Sequence, residues 1–407
     1  MKLLIGGSPC THWSIAQTKN RETEASGIGW ELFLNYRIAR DKYKPDYFLY
    51  ENNKSMSPAI RTQITAELGV EPVLINSALV SAQNRQRLYW VGRRNPDGTY
   101  SQVPVEQPED RGILLRDILE TGVAWSEKSY CITATEGKGS NPQQTLKKHR
   151  RTMVAEPIVV NGMKNGKART VDAHMGKLEN NLVPRINNPN PAKQQYDCIA
   201  EPVRVGTIEN DAKNPDHDSQ QYRVYLPDGK SVTLCGNGGG LGAKTGLYAT
   251  PIGGPDGRVC PIYEVRDGFI TIKGKEYPIK LRDGFYIIRK LTVRECMRLQ
   301  TVPEEYVFPV SNSQAYKMLG NGWTMDVIAH IMSHFTGLTE SPMEVLSMYD
   351  GMSCGHIALD KLGAEITAYY ATEIDKYAIQ TTKYNFPETI QLGDAFQVRN
   401  DDWMVEE

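Results

Sequence analysis

Two stretches of this chain alternate short apolar runs with amphipathic segments, and a long stretch between them does not. Residues 2–5, 47–50, 73–75 and 88–91 read as strands, as do 345–349, 367–372 and 390–392. Helical spacing predicts helices over 28–42, from the Ser57-Pro58 cap to Gly69, over 313–319, 325–335 and 376–384, and over a run ending at Gly363. Thr292-Val293-Arg294-Glu295 is a capping box that opens another. Such alternation predicts an α/β fold with a doubly wound, mostly parallel sheet.

Residues 93–290 have a different texture. Gly, Pro and Asn are dense, helical periodicity is almost absent, and short β-type runs recur at 158–160, 222–226, 269–273 and 285–288. A faint echo links Lys128–Thr133, before a Gly-Lys-Gly segment, to Lys230–Leu234, before the glycines of 236–242. We read 93–290 as an irregular, mostly β domain inserted between 1–92 and 291–342, with 343–407 closing the α/β domain after a linker at 336–342.

Charge follows the same division. Residues 93–290 carry 29 Lys+Arg against 23 Asp+Glu, and the remainder 18 against 25. A basic module on an acidic one suits a polyanion partner. The seven cysteines (10, 131, 198, 235, 260, 296, 354) form no CxxC pair, which argues against a disulfide framework and a metal site and for a reducing, cytoplasmic setting. No apolar run is long enough to span a bilayer, and the N-terminus reads as a strand rather than a signal peptide.

The chemistry gathers at strand ends, where open α/β sheets bind ligands. Gly6-Gly7-Ser8-Pro9-Cys10 turns off the first strand with a thiol at its tip. Glu51-Asn52-Asn53 ends the second strand, and Arg85 and Arg87 enter the fourth. Taken singly these are equally a buried cysteine, a surface carboxylate and an exposed strand face. In the last sixty residues three consecutive strand ends carry a glycine-bearing turn, Glu373 and Asp394. A carboxylate after the second strand is suited to ribose hydroxyls, yet the glycine spacing is not G-x-G-x-x-G, which disfavours a dinucleotide.

Seven segments together (Gly-Gly-Ser-Pro-Cys, Glu-Asn-Asn, Gln-Asn-Arg-Gln-Arg, Arg-Glu-Cys-Met-Arg-Leu-Gln, Gly-Asn-Gly-Trp-Thr, Tyr-Asp-Gly-Met-Ser-Cys-Gly and Ala-Thr-Glu-Ile-Asp) resemble the motifs of the DNA (cytosine-5)-methyltransferases, with wording nearest the de novo eukaryotic and phage enzymes. The resemblance covers about 200 residues and leaves 93–290 unmatched, as the target-recognition domain usually is. It implies a class I S-adenosylmethionine-dependent methyltransferase fold, circularly permuted, because the cofactor motifs here follow the Pro-Cys motif instead of preceding it. It further implies double-stranded DNA as partner, action as a monomer, and S-adenosyl-L-methionine as cofactor, leaving as S-adenosyl-L-homocysteine, without a metal. Cys10, on the loop shaped by Pro9, would attack C6 of a flipped-out cytosine. Glu51 would relieve charge at N3, Asn52 would position Glu51, and Arg87, less directly Arg85, would hold O2 and the cysteine loop. Tyr349, Asp350, Gly351, Met352 and Ser353 would line the cofactor. Glu373 would hold its ribose, Ile374 and Trp323 would pack on adenine, Asp394 would take the amino group, and Asn321 the carboxylate. Ordinary core is the lesser alternative for Trp323. The same chemistry on tRNA, or a silent DNA-binding relative, are the rival expectations.

Overall fold

A computed structural model describes residues 1–14, 21–137, 142–148, 150–157, 203–207, 223–226, 247–248 and 262–403. These fall into two compact units, Met1–Ala155 with Ile272–Leu281 and Lys290–Glu407, and Glu156–Thr271 with Arg282–Arg289.

The first unit is a sheet covered on both faces. Its strands are β1 (Lys2–Gly6), β2 (Tyr47–Asn53), β3 (Pro72–Asn76), β4 (Gln86–Arg94), β5 (Tyr100–Gln102), β6 (Met343–Met348), β7 (Ile366–Thr372) and β8 (Ile390–Gly393). The order is β8-β7-β6-β1-β2-β4-β3, with β5 on β4; β8 to β2 run parallel, and β4 is antiparallel to its neighbours. The expected mostly parallel α/β sheet is therefore present. The helices that matter below are α1 (Gly27–Tyr43), α2 (Pro58–Leu68), α3 (Val293–Leu299), α4 (Asn312–Asn321), α5 (Met325–Met332), α6 (Cys354–Leu362) and α7 (Lys376–Asn385).

Side-chain alternation builds two cores. Leu3 and Ile5 face α5 and α6 together with Val345, Tyr369 and Ala371. Leu4, Phe48, Tyr50, Leu346 and Met348 face α1 and α2. Connections from β1 run through α1 to β2, and from β6 through α6 to β7, in opposite directions along the sheet. The crevice between β1 and β6 is thus the switch point of the sheet, where open α/β folds take their ligands. The two strands meet closely. A Cβ on Gly6 would stand 2.7 Å from the Met348 carbonyl oxygen, and one on Gly355 would stand 2.0 Å from Ile5 Cδ1.

Several boundaries differ from expectation. β2 continues through Asn53, because β4 supplies hydrogen-bonding partners as far as the Asn53–Arg87 pair. Glu51 and Asn52 are therefore strand residues, paired with Tyr89 and Leu88. α5 stops at Met332, and α4 runs into Asn321.

In the second unit Ile262–Arg266 pairs antiparallel with Phe269–Ile272 and with Gly284–Lys290, and Val203–Thr207 pairs with Arg223–Leu226, which takes Leu247–Tyr248 on its other side. The runs expected at 158–160 and 230–234 and the glycines of 236–242 lie outside the described residues.

Candidate active site

The cysteine loop is built from below. Pro9 holds φ −50°, ψ 117° ahead of a single 3-10 turn, Cys10–His12. Asn52, 1% exposed, donates through Nδ2 to the Ser8 carbonyl and to the Tyr50 hydroxyl, each at 3.2 Å. Ser8 Oγ and Tyr50 Oη stand 2.6 Å apart. Asn52 thus braces the loop that carries Cys10, and it does not touch Glu51, because neighbours on a strand face opposite ways. Just beyond Cys10 the chain has a fully buried anchor. Trp13 sits in the core beneath α1 and donates through Nε1 to Glu22 at 3.1 Å. Arg21 donates to the carbonyls of Trp13 and Ser55. Residues 15–20 lie outside the described residues.

Glu51 is 9% exposed, and both of its oxygens are taken. Arg87 Nε forms an ion pair with Oε1 at 3.0 Å, and Trp323 Nε1 donates a hydrogen bond to Oε2 at 3.0 Å. Arg85, just before β4, and Arg87, within it, do different work. Arg85 Nη1 donates to the Ile132 carbonyl at 3.1 Å and Cys131 Sγ at 3.3 Å; its Nη2 donates to the carbonyls of Gly320 and Gly322 at 3.2 and 2.7 Å. Its terminal nitrogens therefore tie β4 to the turn that carries Trp323, not to the cysteine loop.

Burial pushes the Cys10 thiol above its ordinary value; Arg87 pulls it back, Glu51 adds to the rise, and Arg85 opposes it. Cys131 goes the other way. Burial would raise it, but Arg85 and Arg87 together bring it below the ordinary thiol range. Cys131 was not among the expected site residues, and nothing local in Lys128–Thr133 marks it.

On the cofactor side, β6 ends in a loop with three residues in the left-handed region: Tyr349 (φ 62°), Gly351 (φ 62°) and Ser353 (φ 59°). The expected lining residues mostly turn inward. Tyr349 donates its hydroxyl to the Leu32 carbonyl at 2.7 Å. Asp350 accepts from Tyr369 at 2.8 Å and Ser353 at 2.6 Å, and burial pushes its carboxyl up to about 6. Met352 is 1% exposed, with its carbonyl bonded by Tyr306. What the loop presents outward is Gly351, where an added Cβ would meet nothing within 4 Å. Gly351 N–H donates to Glu373 Oε2, and the N–H groups of Ile374 and Asp375 donate to Oε1, all at 2.8 Å. Ile374 is 74% exposed beside that carboxylate. Asp394, exposed at the end of β8, accepts from Phe396 N–H at 3.0 Å. Asn321 is exposed at the end of α4. The indole of Trp323, expected on adenine, turns its N–H to Glu51 instead, while its backbone N–H donates to Cys354 Sγ at 3.4 Å.

The family model of the C-5 cytosine-specific DNA methylases matches residues 1–336. The chain belongs to that family. Cytosine-5 methylation of DNA is accordingly its activity, and the chain is a methyltransferase. Among known proteins it is similar to the orphan methyltransferase M.SPRI of Bacillus phage SPR, 23% identical over 81% of each chain. It is also similar to M.SPBetaI of Bacillus phage SPbeta, 27% identical over 74% of this chain and 68% of that one. The solved Entamoeba histolytica methyltransferase EhMeth is matched over 82% of this chain and 76% of its own at 13% identity, with a TM-score of 0.35. Among the described residues, no helix is long and apolar enough to cross a membrane.

Proposed function

We propose that this methylase acts on a flipped-out cytosine in a short duplex DNA sequence, through a covalent bond between Cys10 Sγ and C6 of the base. The observation that carries the reading is the meeting of Cys10, Glu51 and Arg87 at the carboxyl ends of β1 and β2, beside the switch point.

A thiolate adds readily to an electron-poor ring carbon and leaves readily. Its addition at C6 makes C5 a carbon nucleophile and builds charge on the ring. Glu51 shares a proton with N3 and relieves that charge; Arg87 holds O2 and keeps Glu51 aligned. After C5 is alkylated, loss of its proton and expulsion of Cys10 restore the ring. Asn52 and Pro9 hold the cysteine loop, and Arg85 holds the turn opposite. Stacked in a duplex, C5 is out of reach, so the base must leave the helix. The basic 93–290 stretch is the part suited to gripping phosphates and reading base edges, with one chain serving one site.

S-Adenosylmethionine supplies the methyl group when bound. The residues fit it. Gly351 leaves open space above the loop, Ile374 offers an exposed apolar surface, and Glu373 keeps acceptor capacity beside backbone amides that already orient it. Asp394 suits an amino group and Asn321 a carboxylate. We also propose that the chain is a circular permutation within its family. The family match ends at residue 336, before β6. The Met1 ammonium donates to the Pro342 carbonyl at 2.9 Å, which sets the start of β1 beside the entry to β6.

Bisulfite sequencing of an unmethylated plasmid incubated with protein and S-adenosylmethionine tests the proposal. Conversion-resistant cytosines in one short context are expected. Protection absent from the plasmid but found on tRNA would overturn the duplex assignment.

A further inference from the structure

We infer that Trp323 is a positioning residue for Glu51, acting through its indole N–H. The inference rests on the reading that Glu51 acts on the cytosine ring. Trp323 and Glu51 are 272 residues apart in sequence, yet Nε1 and Oε2 meet at 3.0 Å. With Arg87 Nε ion-paired to Oε1 at 3.0 Å, the carboxylate is held at both oxygens from two different elements, by a charge on one side and a hydrogen bond on the other. Such a grip fixes the carboxylate plane as well as its location. The cysteine loop lies against the same contact. A Cβ on Gly7 would stand 2.9 Å from Glu51 Oε2 and 3.5 Å from Trp323 Nε1, so this residue must be glycine for the three segments to meet.

The donor is itself held from behind. The Trp323 backbone N–H donates to Cys354 Sγ, in the first turn of α6. The preceding carbonyl, on Gly322, accepts from Arg85 at 2.7 Å and from Gln300 at 3.1 Å. Thr324 donates to Gln300 Oε1 at 2.8 Å. The ring packs against both the α5–α6 core and the core under α3 and α4. Four hydrogen bonds thus fix one turn whose outward product is a single N–H aimed at Glu51. A residue that serves only as a flat platform for a nucleobase needs none of that aim. What the donor supplies is orientation, and lost orientation costs rate more than it costs binding.

Trp323→Phe tests the inference in the full chain, since it keeps a ring and deletes the donor. Methyl transfer is measured with tritiated S-adenosylmethionine on unmethylated plasmid DNA, and cofactor affinity by calorimetry. We expect kcat to fall about ten- to a hundredfold, with the dissociation constant for S-adenosylmethionine within about threefold of the parent. Combined with Glu51→Gln, the substitution should cost less than about twofold further, because the two act as a unit. Parental kcat in Trp323→Phe overturns the inference, as does a loss of cofactor binding, which would make the ring a cofactor or packing element. If Trp323→Phe is parental while Glu51→Ala is inactive, only the inference falls. If Glu51→Ala methylates at the parental rate, the reading of Glu51 falls and the inference with it.

Discussion

The catalytic half of the switch point, at the ends of β1, β2 and β4, and the cofactor half, at the ends of β6, β7 and β8, hold their side chains in different ways. In the catalytic half the contacts span the chain. Trp323 reaches Glu51 and Arg85 reaches Gly322, across 272 and 237 residues. In the cofactor half the carboxylates are held locally, while Tyr349 reaches the distant Leu32 carbonyl. Glu373 binds backbone amides one, two and 22 residues away, and Asp350 binds Ser353 three residues on. The first half is a geometry assembled from distant parts; the second is a preformed cup made by neighbours. The difference implies that chemistry and cofactor affinity can be broken separately.

The hardest break is at the nucleophile. Cys10→Ala should reduce methyl transfer by about 10³-fold or more while leaving the dissociation constant for S-adenosylmethionine unchanged, as calorimetry on the same sample would show. If affinity fell as well, the two halves would not be separable.

The converse substitution is milder. Glu373→Ala removes the carboxylate proposed to accept from the ribose and frees the amides of Gly351, Ile374 and Asp375. Cofactor affinity should weaken about ten- to a hundredfold, with kcat at saturating cofactor within a few-fold of the parent. A collapse of kcat would mean that the cup also orients the chemistry.

The smallest effect sharpens the comparison inside the cofactor half. His356 is stacked between Tyr369 and Phe386, its Nδ1 without a hydrogen-bond partner, and burial lowers its pKa to about 4. The folded state thus binds this proton more weakly than the unfolded chain. The stabilisation is full above pH 6.5 and is lost as pH falls toward 4. Asp350, bonded to the hydroxyl of the same Tyr369, has the opposite sign. Its carboxyl is raised to about 6, so its stabilisation is full below the ordinary carboxyl range and is lost as pH rises through 6. Between pH 4 and 6 the two slopes offset each other. His356→Phe should expose the second slope, so its melting temperature should fall as pH rises from 4 to 6 while the parent's stays nearly level.

What sequence reading reached follows the same line. The placement of Cys10, Glu51 and Arg87 at neighbouring strand ends was legible because seven short motifs together resemble one family, and that of Glu373 and Gly351 because their contacts lie within one strand–helix–strand segment. Three particulars were not. Asn52 reads as a partner of Glu51 by adjacency, but the pleat sends it under the cysteine loop. Cys131 has no local mark, since its lowered pKa comes from two arginines more than forty residues away. Trp323 reads as a platform for adenine or as core, and only the Glu51 carboxylate across the site gives its N–H a direction. Met352 and Ser353 fell short for a related reason. A loop of left-handed residues turns its side chains in and its backbone out, and the sequence does not display that inversion.

The placement of β1 between β2 and β6 has a consequence for how this protein is made. β2 leaves the ribosome soon after β1, but β6 is nearly three hundred residues later. At about 5–20 residues per second, β1 waits roughly 15–60 s with one edge unpaired. An apolar strand with an open edge is a template for the wrong neighbour, so this interval is the chain's window for aggregation and chaperone capture. The centre of the sheet, where both halves of the site meet, is therefore among the last parts of the molecule to close.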